Sequence, residues 1–361
     1  MAKQRARWIV VRAGEQRRWG GEIRRQEIFS KLAERTGATV ADGWPAFRRA
    51  MLGGRLKRIS RRLGFAPRRP ALRSLAASEQ APASWLDWLP GYVDPTVVTI
   101  YDDGVLQAQA LGVELSPARI AELTLRRARN ERLFRWLVVP TASFAEFIGL
   151  DMDRVIVGGN GTVASRVRPG PWPDAPSIGI ASGAAPGRGL NTLIEAARLL
   201  RGTIPELRLY LWLAATSAGD TAYIDGLRSQ VAGEPWIEIG QASYERLGET
   251  LAAATVLTIP TPATEYSDVA LPVKLFDSMA AGRPLVVTPR REAAALVERH
   301  GIGVVSSGDD AASLAEAFAS LLNDDALARA MGARARQIAL SDYDWPIVGD
   351  RIADEVLRRE A

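Results

Sequence analysis

Short apolar runs alternate with amphipathic stretches along almost the whole chain, the pattern of parallel strands covered on both faces by helices. In the first half, residues 8–11, 38–41, 97–101, 137–140 and 154–157 predict strands. In the second half, residues 178–181, 207–213, 236–239, 256–259, 285–288 and 303–305 do so. Arg-Pro-Gly-Pro-Trp-Pro-Asp-Ala-Pro at 168–176 cannot continue either period and reads as a linker. Residues 66–95, rich in proline and alanine and without a clear period, read as an irregular insertion or loop. The pattern predicts an α/β protein with two doubly wound domains, 1–170 and 171–340. A last amphipathic helix starts near Pro346, which suits a first helical turn, and runs to about Arg359.

The most informative segment is 271–288, Leu-Pro-Val-Lys-Leu-Phe-Asp-Ser-Met-Ala-Ala-Gly-Arg-Pro-Leu-Val-Val-Thr. Pro272 suits the start of a helix whose apolar positions are Leu275, Phe276, Met279 and Ala280, and Gly282 and Pro284 end it before a buried strand. The unpaired amides of such a helix start favour a phosphate, and Lys274 adds a point charge. Asp277, one turn on, can accept bonds from two sugar hydroxyls. The plainer readings are a solvated lysine and a surface acid. A second segment, Ser-Gly-Ala-Ala-Pro-Gly-Arg-Gly at 182–189, follows a strand and opens a helix. Gly183, Gly187 and Gly189 would let backbone amides approach a phosphate, although such a turn is often only a turn.

Composition narrows the chemistry. The chain has 361 residues, 47% hydrophobic and 24% charged, a globular balance long enough for two domains. With no cysteine and one histidine, His300 at a helix end, neither thiolate metal sites nor cysteine nucleophiles are available. No Gly-x-Ser-x-Gly accompanies His300, so a hydrolase triad has no support. The basic N-terminus runs straight into the first strand, and no run approaches the roughly 18 apolar residues of a membrane span, so the expected location is cytoplasmic.

Net charge is +5, but the charge is uneven: residues 43–78 hold ten Lys or Arg and no Asp or Glu. Within 46–63, Phe47, Met51, Leu52, Leu56, Ile59 and Leu63 fall near one helical face and the basic residues on the rest. This reads either as an interfacial helix for the anionic inner face of the cell membrane or a lipid-linked pyrophosphate, or as an ordinary surface helix interrupted by Gly53 and Gly54. Nucleic acid is not expected, because the patch lacks interleaved aromatics.

The segment 271–288 resembles Pro-x-Lys-x-Phe-(Glu/Asp)-x-x-Ala-x-Gly-x-Pro, the donor-site signature of GT-B glycosyltransferases, particularly glycosyltransferase family 4. The resemblance runs from about Ser177 to Arg336. It implies two Rossmann-like domains facing a central cleft, with the terminal helix 341–361 crossing back onto the first domain. It also implies transfer of a hexose from a nucleotide-diphosphate sugar to an envelope glycan, glycolipid or polysaccharide acceptor, with retention and no required cofactor or metal. By resemblance, Asp277 would bind the donor ribose and Arg188 would sit near the basic phosphate position. Gly20 and Gly21 would form a paired-glycine loop beside the diphosphate and acceptor. Of the adjacent acids 102 and 103, Asp103 suits a helix cap and Asp102 the orientation of an acceptor hydroxyl. Asn160-Gly161 resembles the family's structural turn before the linker. The chain departs from the family at Val269, where a second Glu is usual, and at Ala184, where Arg is frequent; Glu265 and Asp268 lie close to the first departure. Rival readings are a GT-B epimerase or phosphorylase and a catalytically silent nucleotide-sugar-binding or scaffold protein.

Overall fold

The computed structural model of the chain describes residues 8–12, 20–42, 73–78 and 93–361, and the basic stretch 46–63 lies outside them. The strands are β1 (Trp8–Arg12), β2 (Thr39–Asp42), β3 (Arg73–Ser78), β4 (Val93–Thr99), β5 (Trp136–Val139) and β6 (Val155–Val157), then β7 (Ser177–Gly183), β8 (Arg208–Ala214), β9 (Ile237–Gly240), β10 (Val256–Ile259), β11 (Leu285–Val287) and β12 (Gly303–Val305). The helices begin with α1 (Gly20–Thr36), α2 (Gly104–Ala110), α3 (Pro117–Leu133), α4 (Ala142–Phe147), α5 (Leu190–Arg201), α6 (Ala218–Gln230) and α7 (Leu247–Ala252). They continue with α8 (Glu265–Val269), α9 (Val273–Ala280), α10 (Arg291–His300), α11 (Ala311–Leu322), α12 (Asp325–Asp342) and α13 (Trp345–Arg359).

Among the described residues all strand pairings are parallel. They form two 6-stranded sheets, ordered β2-β1-β3-β4-β5-β6 and β12-β11-β10-β7-β8-β9. This is the doubly wound α/β architecture that the alternating pattern predicts. The chain divides into two compact units. One holds residues 1–105, 115–159 and 346–361; the other holds 106–114 and 160–345. The break at 159/160 precedes the proline-rich stretch 168–176.

One expectation is corrected: residues 66–95 are not simply an irregular insertion, because Arg73–Ser78 is an interior strand paired with β1 and β4. Its sequence, Arg-Ser-Leu-Ala-Ala-Ser, has a single large apolar residue and so gives no hydrophobic run. Leu75, Ala76 and Ala77 are nonetheless fully buried, because small side chains suffice where helices close in on both faces. Strand β4 starts at Val93, ahead of the expected residue 97. Its pairing with β3 shifts register between Leu75 and Ala76, opposite Pro95, which has no amide to offer the ladder.

The second sheet shows why its strands read clearly. On β8, Leu209, Leu211 and Leu213 join a core with α5 and α11 through Leu193, Ile194, Leu314 and Phe318. Trp212, on the other face, joins Leu257, Ile259 and Val287 against Leu275, Phe276 and Met279 of α9. Each large side chain so buried contributes about 1.5–3 kcal/mol, which fixes the register of every strand. Among the described residues no helix is long and apolar enough to cross a membrane.

Candidate functional site

In the second sheet the strand order reverses between β7 and β10, and open α/β sheets bind ligands at the carboxyl ends of strands beside such a reversal. The residues picked out by sequence gather there. The Gly-rich segment after β7 forms a short 3-10 turn, Pro186–Arg188, and then enters α5 through Gly189, which has φ 71°. A Cβ on Gly189 would lie 1.8 Å from the Pro260 carbonyl oxygen at the end of β10, so only glycine fits this junction. Gly187 is equally constrained: its amide donates to the Leu111 carbonyl at 3.1 Å, and a Cβ would meet Ala110 O at 2.0 Å. These two glycines therefore serve close backbone packing. Gly183, with nothing within 4 Å of an added Cβ, is the one of the three with open space beside it.

Helix α9 brings Lys274 and Asp277 to this edge one turn apart. Lys274 Nζ lies 3.4 Å from Ser182 Oγ near the end of β7. Burial and the neighbouring Arg188 guanidinium hold its ammonium well below the usual lysine range. Two cations thus share one small volume, and Lys274 makes no ion pair among the described residues. An anion bound beside both would favour their charged forms. Neither α5 nor α9 has a side-chain N-cap, whereas α6, α8, α11 and α12 are capped by Ser217, Thr264, Asp310 and Asp324. The amides that begin α5 and α9 therefore have no acceptor from their own N-cap side chain.

Asp277 is buried, and Thr162 Oγ1 donates to its Oδ1 at 2.7 Å. Burial pushes its pKa up to about 7, against the lowering effect of that hydrogen bond. Thr162 is held in turn by two backbone bonds of 2.9 Å, to the Tyr343 carbonyl and from the Trp345 amide. Asn160, two residues earlier, donates from Nδ2 to the Leu271 carbonyl at 2.8 Å, just ahead of α9. Sequence reasoning missed Thr162 because 115 residues separate it from Asp277. Its only local signal is the Asn-Gly turn before it.

The departure at Val269 is structural as well: its side chain is 3% exposed and packs inward from α8. Glu265 is exposed in the first turn of α8. Asp268 instead pairs with Arg290 at 3.3 Å, and Asp309 approaches the same guanidinium at 3.9 Å. Arg290, at the start of α10, is a further residue of this edge that the sequence reading did not single out. His300, at the end of α10, bonds the Tyr343 hydroxyl at 3.1 Å, and burial together with Arg299 lowers its pKa.

The first unit carries the remaining candidates. Gly20 and Gly21 are the first residues of α1 and not a separate loop. Asp102, half-buried, lies between β4 and α2. Asp103 is buried, accepts the Val105 amide at 3.0 Å as a helix cap and pairs with Arg127. Among the described residues, no group of three or more His, Cys, Asp or Glu could hold a metal ion.

Two parallel, doubly wound sheets with this site on the second define a GT-B protein. Sucrose-phosphate synthase from Thermosynechococcus elongatus has the same fold, with a TM-score of 0.70 at 15% identity over 98% of both chains. Anabaena HepE in complex with UDP and glucose gives 0.70 at 16% identity, over 98% of this chain and 100% of that one. Residues 175–324 match the family model described as Glycosyl transferases group 1. Among curated proteins, glycogen synthase of Mycobacterium tuberculosis is 30% identical over 224 residues, 59% of this chain and 50% of the relative. A GDP-mannose-dependent monoacylated alpha-(1-6)-phosphatidylinositol monomannoside mannosyltransferase of Corynebacterium glutamicum is 26% identical over 195 residues, 53% of this chain and 49% of the relative. The chain spans about half the length of these curated relatives.

Proposed function

We propose that the protein is a nucleotide-sugar-dependent glycosyltransferase that moves a hexose from a nucleoside-diphosphate donor to a glycan or lipid-linked acceptor in envelope or polysaccharide synthesis, with retention at the anomeric carbon. The observation that carries this reading is the meeting of Arg188, Lys274 and Asp277 at the strand-order reversal of the second sheet. When the glycosidic bond breaks, negative charge collects on the departing diphosphate. Arg188, Lys274 and the uncapped starts of α5 and α9 are placed to stabilise it without a metal. Asp277 accepts hydroxyl bonds from the ribose and orients the donor. Asp102 of the first unit orients the acceptor hydroxyl. The activities of the mannosyltransferase and glycogen synthase relatives, and the UDP and glucose bound by HepE, support a sugar-nucleotide donor. The basic stretch 46–63 would bring the enzyme to an anionic membrane carrying the acceptor.

Calorimetric titration with UDP, GDP, ADP and dTDP, repeated on Asp277→Ala, tests the reading. Selective binding of one nucleotide, lost in the variant, is the expected result and identifies the base. No binding of any of the four to the wild-type protein would overturn it.

A further inference from the structure

The Asp277 carboxyl is held from a distant part of the chain. Its Oδ1 accepts from Thr162 Oγ1 at 2.7 Å, the one hydrogen bond that the carboxyl makes among the described residues. Thr162 is buried and its backbone is clamped. Its amide donates to the Tyr343 carbonyl and its carbonyl accepts from the Trp345 amide, each at 2.9 Å, in a parallel bridge opposite Asp344. The flanking residues tighten the clamp. A Cβ on Gly161 would lie 2.6 Å from the Tyr343 carbonyl oxygen, and the Ala164 amide donates to Asp344 Oδ1 at 3.1 Å. A hydroxyl fixed in this way presents its proton in one direction. Valine has the same shape without the donor, so the hydroxyl is the part of Thr162 that packing does not require. The charged groups on the elements around Asp277 are engaged elsewhere. Lys274 lies against Ser182, Arg336 of α12 donates to the carbonyls of Ala164, Val167 and Ala280, and Glu249 of α7 pairs with Arg246. Neither these nor Arg188, Tyr343 or Asp344 is bonded to the Asp277 carboxyl.

We infer that Thr162 is a positioning residue whose hydroxyl fixes the Asp277 carboxyl in one orientation and favours its charged form, the form that accepts sugar hydroxyls. This role rests on reading Asp277 as the donor-binding acid, and Thr162 acts through that side chain without touching the substrate. With one lone pair of Oδ1 engaged, Oδ2 and the rest of Oδ1 are left for the ligand. Burial pushes the Asp277 pKa up to about 7 against the effect of this bond. Without the bond it moves higher, and at neutral pH the carboxyl then carries a proton where the donor needs an acceptor.

The test compares wild type, Thr162→Val and Thr162→Ser as full chains, by thermal unfolding without ligand and by calorimetric titration with UDP, GDP, ADP and dTDP, both from about pH 6 to about pH 9. The ionisation of the nucleotide is common to all three proteins, so the difference between them reports the protein. In Thr162→Val the pH midpoint of nucleotide affinity should move up by about one unit, the tenfold change of one hydrogen bond to a charged group. Affinity then falls about fivefold at pH 7 and returns near pH 9, while Thr162→Ser keeps the wild-type midpoint. Without ligand, the decline of stability with rising pH should extend about one unit further in Thr162→Val. In an Asp277→Asn background, Thr162→Val should shift neither dependence. An unchanged midpoint in Thr162→Val would overturn the inference, as would an equal loss of affinity at every pH or a shift that persists in Asp277→Asn. If Thr162→Val does not fold, Thr162→Ala takes its place in the same comparison. Failure of the wild-type protein to bind any of the four nucleotides would bring down the donor-site reading and with it the role given to Thr162, and the shift in ligand-free unfolding would remain to show that the bond itself is real.

Discussion

One cluster of ionisable groups in each unit shows two different arrangements. In the second, Arg188 lies near enough to Lys274 to disfavour its charged form, and the Asp277 carboxyl is buried with a hydroxyl partner in Thr162. In the described part of the first, Asp103 pairs with Arg127, Arg127 pairs again with Glu131, and Arg135 bridges Asp94 and Glu360. Opposite charges that neutralise one another hold a fold together, each exposed pair weakly. Charges kept from neutralisation are more useful at a binding site, because a ligand of opposite sign gains what the free protein lacks. On the proposed function, this contrast favours the second unit as the donor-binding one.

The contrast breaks most directly at Asp277. Asp277→Ala should weaken nucleotide binding on the order of 100-fold, the loss of two charge-assisted hydrogen bonds, while the unfolding midpoint holds or rises because a poorly compensated carboxyl has gone. A fall in both would make Asp277 a structural residue. Next in size, Lys274→Met should weaken nucleoside diphosphates by roughly 30-fold with little effect on the free nucleoside, as expected of a phosphate contact. Equal losses for both ligands would remove Lys274 from the phosphate site. Asp102→Asn tests the other unit: turnover should fall about tenfold with nucleotide affinity unchanged, and a change confined to affinity would contradict its acceptor role.

The pH dependence is a smaller effect and sharpens the same contrast. Because burial raises the Asp277 pKa to about 7, above an unfolded value of roughly 3.9, the folded state binds the extra proton between those limits. Its contribution to stability therefore declines as pH rises through that window and levels off above it. Nucleotide affinity should rise over the upper part of the same window as the carboxylate forms. Asp277→Asn should flatten both dependences, which pH-resolved unfolding and titration would show. Smallest of all, Arg290→Met should reduce donor affinity only about threefold, by freeing the Asp268 side chain that it holds; an effect as large as that of Lys274→Met would make Arg290 a direct ligand.

Much of the second unit was legible because its signals are local. The strands at 256–259 and 303–305 were located to the residue, and the helix carrying Lys274 and Asp277 followed from Pro272, its apolar spacing and Gly282, which takes φ 70° just past its end. Strand β3 was not legible, since an alanine-rich interior strand has no hydrophobic run and shows itself only through the helices and strands around it. The glycine loop was legible as a turn but not in its detail. That Gly187 and Gly189 answer to Leu111, Ala110 and Pro260 depends on how distant loops pack.

By itself the sequence determined the α/β alternation, the position of the α9 motif and the identity of the two second-unit cations, because each depends on residues within a few turns of one another. Only the tertiary structure decided which polar groups surround that motif. Asn160 and Thr162 reach Leu271 and Asp277 across more than a hundred residues, and it is burial, a property of the packed chain, that leaves one oxygen unpaired and lifts one carboxyl to about pH 7.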